Sequence, residues 1–189
     1  MKTIMLTDDV KLDAKLVAEA RNFAAKDIER AEGKFHKGYT PLEVNWQGAI
    51  AEVQLAKLYP HLKLSQPYVV YDGDTRESDF IYQEHGIEVK CNRFYRLYPH
   101  FFINQQRFDK KRDLAEYLIA CAINSSPERA ISFYLFGYLE SEEVAEYPVR
   151  KEYSSPAYAV PIRDFKPLDD LLKPFNLADY MGGKENGRR

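Results

Sequence analysis

Asp79 and the run Glu88-Val89-Lys90, nine residues further on, have the residue types and spacing of a site for phosphodiester chemistry. Two carboxylates can hold a hard divalent cation through oxygen. A lysine beside them can orient, or help deprotonate, an attacking water. Together they supply a nucleophile, a Lewis acid and charge neutralisation. The tripeptide alone has no weight. An acidic residue two before a lysine also occurs at Asp9/Lys11, Asp13/Lys15, Glu32/Lys34, Asp109/Lys111 and Asp164/Lys166.

Context separates Glu88 and Lys90 from the rest. They alternate with Ile87 and Val89, which predicts a strand with one polar and one apolar face. Ser78-Asp79-Phe80-Ile81-Tyr82 predicts a second strand, and Gln83-Glu84-His85-Gly86 a turn between the two. A two- or four-residue connection sets Asp79 opposite Lys90. Asp79, Glu88 and Lys90 then share a face, with Glu88 diagonal to Asp79 at roughly 7–8 Å between backbones. A three-residue connection turns Asp79 to the other face unless a bulge restores it.

These residues, with Gly48-Ala49-Ile50-Ala51-Glu52 upstream, resemble the PD-(D/E)xK nuclease superfamily, the restriction-endonuclease-like fold. Many members of that superfamily carry a glutamate on the helix before the sheet, often in a Gly-x-x-x-Glu setting. The resemblance covers about residues 40–140 and rests on the ordered set. One departure is that Ser78, not proline, precedes Asp79. The resemblance implies that Asp79, Glu88, Glu52 and the Val89 carbonyl hold one or two Mg²⁺ ions, with Mn²⁺ able to substitute. It also implies catalysis by Glu52, Asp79, Glu88 and Lys90, with a 5′-phosphate as product. Some members place a glutamine or lysine on the helix after the Glu-x-Lys strand. Gln106 is therefore included among the catalytic residues, and Gln105 is its neighbour in that role; a plain surface amide is the alternative for either.

Composition sets bounds. The chain has 189 residues, 45% of them apolar and 14% aromatic, which is ample for one packed core. No run has the length of a membrane-spanning helix, and Met1 through Asp9 does not read as a signal peptide. Cys91 and Cys121 read as small apolar fillers of buried strands, for which a reducing, cytoplasmic location is expected. The four histidines and two cysteines have no zinc spacing. Net charge is −2, unlike the strongly basic balance of many nucleic-acid binders. The charge is uneven, however. Lys90, Arg93, Arg96, Arg107, Lys110, Lys111 and Arg112 lie together against the single acidic Asp109, whereas Glu140, Glu142, Glu143 and Glu146 form an acidic stretch. Arg93, Arg96, Arg107, Lys110, Lys111 and Arg112 are the expected phosphate contacts. The alternative is that they are solvated or pair with the acidic stretch.

The elements that must position these groups follow from periodicity. Leu12, Leu16, Val17, Ala20, Phe23, Ala24 and Ile28 recur at helical spacing, predicting a helix over about 10–32. Thr40-Pro41-Leu42-Glu43 is a capping-box start for a second helix, stopped by Pro60. Its expected inner side is Trp46, Ala49, Ile50, Val53 and Ala56, with Gly48 allowing close helix–sheet contact. Strands are predicted at about 62–71, 78–83 and 87–93, with Asp72-Gly73-Asp74 as a turn. Asn104 caps a short helix reaching Arg112. Strands follow at 117–123, 130–139 and 157–162, then a short helix at 167–172.

This order predicts an α/β protein: a three-layer α/β/α arrangement around a central mixed sheet with a restriction-endonuclease-like core. Residues 1–39 read as an N-terminal helical appendage, 40–181 as the nuclease-like domain and 182–189 as a disordered tail. Tyr95, Tyr98 and Phe101 are able to stack on bases, but core packing is the commoner fate of such aromatics. Nothing positions His85 or His100 for acid–base work. The expected activity is metal-dependent hydrolysis of DNA. RNA cleavage and a non-catalytic nucleic-acid-binding module are the alternatives, and a homodimer is left open.

Overall fold

The computed structural model describes residues 1–27, 40–64, 78–94, 99–151 and 155–172. The expected helix end at 32, most of the strand at 62–71, the Asp72-Gly73-Asp74 turn, Arg96 and the tail at 182–189 lie outside them. The chain is a mixed α/β protein built on a six-stranded sheet. In chain order its strands are β1 (Lys2–Met5), β2 (Lys63–Leu64), β3 (Phe80–Tyr82), β4 (His85–Arg93), β6 (Tyr117–Ile123) and β7 (Ser132–Glu140). The spatial order is β1-β7-β6-β4-β3-β2. Only β4 and β6 run parallel, so the sheet is mixed as expected. A crossover must connect parallel strands. It contains β5 (His100–Asn104) and α3 (Gln105–Lys111).

One face of the sheet is covered by α1 (Asp8–Asp27) and α2 (Pro41–Leu58), with α5 (Leu168–Leu171) at its margin. Thr40 caps α2 as the sequence predicts: its hydroxyl accepts from the Glu43 N–H, and Glu43 returns the bond. Every residue of α2 from Ala49 to Leu55 is buried. A helix buried all round must be covered on both sides. Here the sheet lies beneath it and α1 above. Residues 1–27 are thus no appendage: β1 pairs with β7, and Leu6, Val10, Ala14, Val17 and Ala18 join the main core. The buried stripe of α1 also differs from the expected one. Leu12, Leu16 and Phe23 face solvent, and the small Ala14 and Ala18 lie inward. Apolar periodicity alone does not say which of two overlapping stripes meets a neighbour.

The opposite face is not a layer of helices alone. A second sheet, in the order β5-β9-β8, closes it with β9 (Ala157–Pro161) at its centre and β8 (Val149–Arg150) at its edge. Together with α3 and α4 (Ser141–Glu146), these strands bury Phe101, Ile103, Phe108, Val144 and Val160 against Leu118, Ala120 and Ala122 of β6. The α/β/α expectation is corrected on this face by strands the sequence did not assign to a separate sheet.

Two glycines behave differently. Gly137 has φ +142, and a Cβ there would lie 2.0 Å from the Lys166 carbonyl oxygen. It sits where the β6–β7 register shifts between Ala120 and Cys121, as a bulge requires. Gly48 was expected to permit close helix–sheet contact, yet a Cβ there meets nothing within 4 Å. Gly137→Ala is expected to lower the urea midpoint sharply. Gly48→Ala should raise stability by about 0.5–1 kcal/mol, from helix propensity alone. Equilibrium urea denaturation of both variants checks the contrast.

Candidate active site

The β3–β4 hairpin turns through Gln83 and Glu84, both at positive φ (49 and 72). That is the geometry of a two-residue primed turn. Because the turn closes on Tyr82 and His85, pairing runs from there to Phe80–Ile87. Pairing stops there, and Asp79, whose N–H reaches Ile87, is not opposite Lys90 as expected. Asp79 stays anchored to β4 by two bonds. Its N–H donates to the Ile87 carbonyl at 2.9 Å, and its Oδ2 accepts from the Val89 N–H at 2.7 Å. The N–H and C=O of one strand residue project to the same side. The Val89 carbonyl therefore leaves β4 on the side where Asp79 caps its N–H.

Ile87, Val89 and Cys91 point into the helix-covered core. Glu88 and Lys90 alternate with them and stand level with Leu118 and Ala120, which belong to the second core. Glu88 is only 2% exposed. Its Oε1 accepts from the Lys90 ammonium and its Oε2 from Lys111 Nζ at 2.9 Å. The same Lys111 ammonium lies 3.8 Å from Asp79 Oδ1. One cationic centre thus already spans both carboxylates.

Glu52 is 7% exposed on α2 and is held at both oxygens by Arg21 of α1, at 2.8 and 2.6 Å. Its charge is felt at Asp79. Burial, then the neighbouring charges of Glu88 and Glu52, push the Asp79 carboxyl up to about 7, against the opposing pull of Lys111 and Lys90. Glu88 behaves oppositely. Burial raises it, but Lys90 and Lys111 outweigh burial and hold its carboxyl below the usual range. Asp79 and Glu88 are thus gathered with Lys90 and Lys111, while Glu52 is paired separately with Arg21.

The remaining expected residues divide. Asn104 Oδ1 accepts from the Arg107 N–H and starts α3 as expected. Phe108 anchors the helix in the second core. Lys111 reaches Glu88 from its last turn, whereas Gln106 is exposed and lies about 140° around the helix from Lys111. The residue that α3 presents to the carboxylates is thus Lys111, expected only as a phosphate contact, and not Gln106. Arg93 is half-buried and pairs with Glu43 at 3.3 Å, so it is no open phosphate contact. Arg107, Lys110 and Arg112 are exposed, with Arg112 Nε 3.9 Å from Asp113. The acidic stretch does not answer this strip: Glu140 and Glu143 pair with Lys166. Sequence reasoning missed Arg21, whose only signal is a basic residue on a helix otherwise read as peripheral.

Burial pushes both thiols up, and Cys91 and Cys121 stand level on β4 and β6, as inert fillers. Among the described residues no group of three or more His, Cys, Asp or Glu is close enough to hold a metal ion, and no helix is long and apolar enough to cross a membrane. No family model, no curated protein and no solved structure matches this chain.

The raised carboxyl of Asp79 has a pH signature. The folded chain holds this proton between about pH 4, where an ordinary aspartate titrates, and about 7. Stability contributed through Asp79 therefore falls as pH rises across that window. The depressed Glu88 acts only below its ordinary range, where stability is lost as pH falls. Asp79→Asn keeps an oxygen for the Val89 N–H and removes the titration. The variant should melt higher than the wild type at pH 8 in chelator and equally at pH 4.5. Thermal unfolding at the two pH values tests this; a lower melting point for the variant at pH 8 contradicts it.

Proposed function

We propose that this chain is a divalent-cation-dependent nuclease that hydrolyses DNA phosphodiester bonds, with RNA as the alternative substrate of the same chemistry. The supporting observation is the single Lys111 ammonium shared by Asp79 and Glu88, at 3.8 and 2.9 Å. It shows that positive charge is accommodated between the two carboxylates. Two carboxylates and a backbone carbonyl suit Mg²⁺, which is commonly held by one or two carboxylates with water and substrate phosphate completing its shell. Asp79, Glu88 and the Val89 carbonyl would hold it, with Glu52 in electrostatic reach. When bound, such an ion supplies a Lewis acid and lowers the pKa of a coordinated water.

The chain's own groups supply the rest. Lys90, fixed by Glu88, orients the water through its ammonium and offsets charge developing on phosphorus. Lys111, if drawn off the carboxylates, would be placed to offset phosphate charge. Water attacks phosphorus in line and gives up a proton as the P–O3′ bond breaks and O3′ takes one up, leaving a 5′-phosphate and a 3′-hydroxyl. This assignment makes the six-stranded sheet a restriction-endonuclease-like core and the chain a PD-(D/E)xK nuclease. A second reading, a nucleic-acid-binding module without catalysis, draws on the fact that two ammonium groups already neutralise Glu88.

Linear, circular and single-stranded DNA and RNA, incubated with and without Mg²⁺, separate the readings. Cleavage in Mg²⁺ should fall by at least a hundredfold in Asp79→Ala, Glu88→Ala and Lys90→Ala with the fold intact, on the scale of groups that stabilise a transition state. Binding without cleavage in the wild type selects the silent module.

The exposed Arg107 and Lys110 carry the interface expectation, because Lys111 is engaged at the carboxylates. Arg107→Glu and Lys110→Glu should each weaken DNA binding similarly for all sequences. Each should also lower the slope of log affinity against log salt by about one unit. Titrations at several salt concentrations read both effects.

A further inference from the structure

Two stripes of apolar side chains run along α1, on opposite sides of the helix. Val10, Ala14, Val17 and Ala18 form the inner stripe and lie in the main core. Leu12, Leu16 and Phe23 form the outer stripe and are 59, 58 and 71% exposed. On a helix these three fall within about 40° of one another, over about 16 Å of its length. A single exposed leucine is ordinary. Large apolar side chains aligned on one helix face, opposite a face already buried, are the pattern of a helix covered on both sides.

The charges beside the outer stripe bear on what covers it. On one flank Asp9 and Asp13 are both held by Lys57, at 2.6 and 3.2 Å. On the other flank stand Lys15 and Glu19, one turn apart, with side chains 45 and 50% exposed. Their contact is loose, 3.9 Å between ammonium and carboxylate, and the ammonium also lies 5.6 Å from the centre of the Trp46 ring. A helix with a cation and an anion one turn apart beside an apolar stripe is complementary to itself when it runs antiparallel. A two-fold axis between them sets Lys15 of each copy against Glu19 of the other. The same axis sets Leu12 against Phe23 of the other copy, with both copies of Leu16 near the middle. Parallel pairing would oppose Lys15 to Lys15 and Glu19 to Glu19, and would align the two helix dipoles rather than offset them.

We propose that the outer face of α1 is a self-association surface on which a second copy of this chain docks antiparallel, with Leu12, Leu16 and Phe23 forming the seam and Lys15 and Glu19 the ion pairs across it.

Such an interface is isologous, the same patch serving both copies. It is short and buries about 1,000 Å² or less, so the pair forms at micromolar rather than nanomolar concentration. Glu88 and Lys90 project from the sheet on the face away from α1, so each copy keeps its carboxylate cluster clear of the seam. Docking of this kind is independent of whether the chain hydrolyses nucleic acid.

Sedimentation equilibrium of the full chain, from low to high micromolar concentration, reads the association. The wild type should show a monomer–dimer equilibrium. Leu16→Asp should weaken it by about a hundredfold, because the charge enters the seam twice in each dimer. Since Leu16 is exposed in the single chain, thermal unfolding of this variant at low concentration should match the wild type. Lys15→Glu and Glu19→Lys should each weaken association several-fold, and the double variant should regain it. Mixed with the wild type, the double variant should form no mixed dimer, because like charges would then meet; energy transfer between differently labelled chains reads this. Parallel docking predicts the reverse, preferential mixing. A wild type that stays monomeric at every concentration overturns the proposal, as does a dimer that Leu16→Asp leaves intact. Free or preferential mixing of the double variant with the wild type overturns it too.

Discussion

Glu88 is buried in the middle strand of the sheet, beside a second carboxylate, and remains ionised because two ammonium groups reach it. Burying a charge costs several kcal/mol unless it is paired and hydrogen-bonded. Lys90 supplies one partner from the same strand. The other has to come from elsewhere, and α3 supplies it. Asn104 starts that helix, Phe108 sinks it into the second core, and Lys111 is thereby delivered one turn later to Glu88. Asp79 bears the remainder of the cost. Lying next to a carboxylate that keeps its charge, it is the group whose proton is held up to about pH 7. Removing a cation from this cluster leaves a buried charge unanswered, which is why the cluster is a constraint on the whole fold.

On the other face of the sheet, α2 is buried at every residue from Ala49 to Leu55. It must then be covered, and α1 covers it. Small residues at Ala14 and Ala18 set the contact. The cover is not inert, since Arg21 reaches through it to Glu52. On the far face the three-stranded sheet and α4 close the second core, and Glu140 and Glu143 pair with Lys166, which also lies over the Tyr138 ring. Of the basic side chains of α3, Arg107 and Lys110 are exposed, whereas Lys111 is held at the carboxylates.

Much of this was legible beforehand, for local reasons. The capping box at Thr40 and Glu43, the Asn104 cap, and the alternation of Ile87 and Val89 with Glu88 and Lys90 are short-range signals, and each has its expected consequence. Other features were not legible because no local rule decides them. The turn at Gln83 and Glu84 uses residues that rarely adopt positive φ, so the pairing is shifted by two residues from the expected register. The buried stripe of α1 depended on which neighbour it met, and Gln106 was expected at the site where α3 presents Lys111, because the rotation of that helix about its axis is set by Phe108.

The sequence by itself determined the starts of α2 and α3, the polar face of β4 and the presence of two carboxylates and a lysine at hairpin spacing. These depend on residue type and on separations of a few residues, which periodicity and capping record. Tertiary structure alone decided which cations answer those carboxylates. Arg21 is 31 residues from Glu52 and Lys111 is 23 from Glu88. Such pairings are chosen by the desolvation of charges in the assembled core, and that energy does not exist until the layers have closed around them.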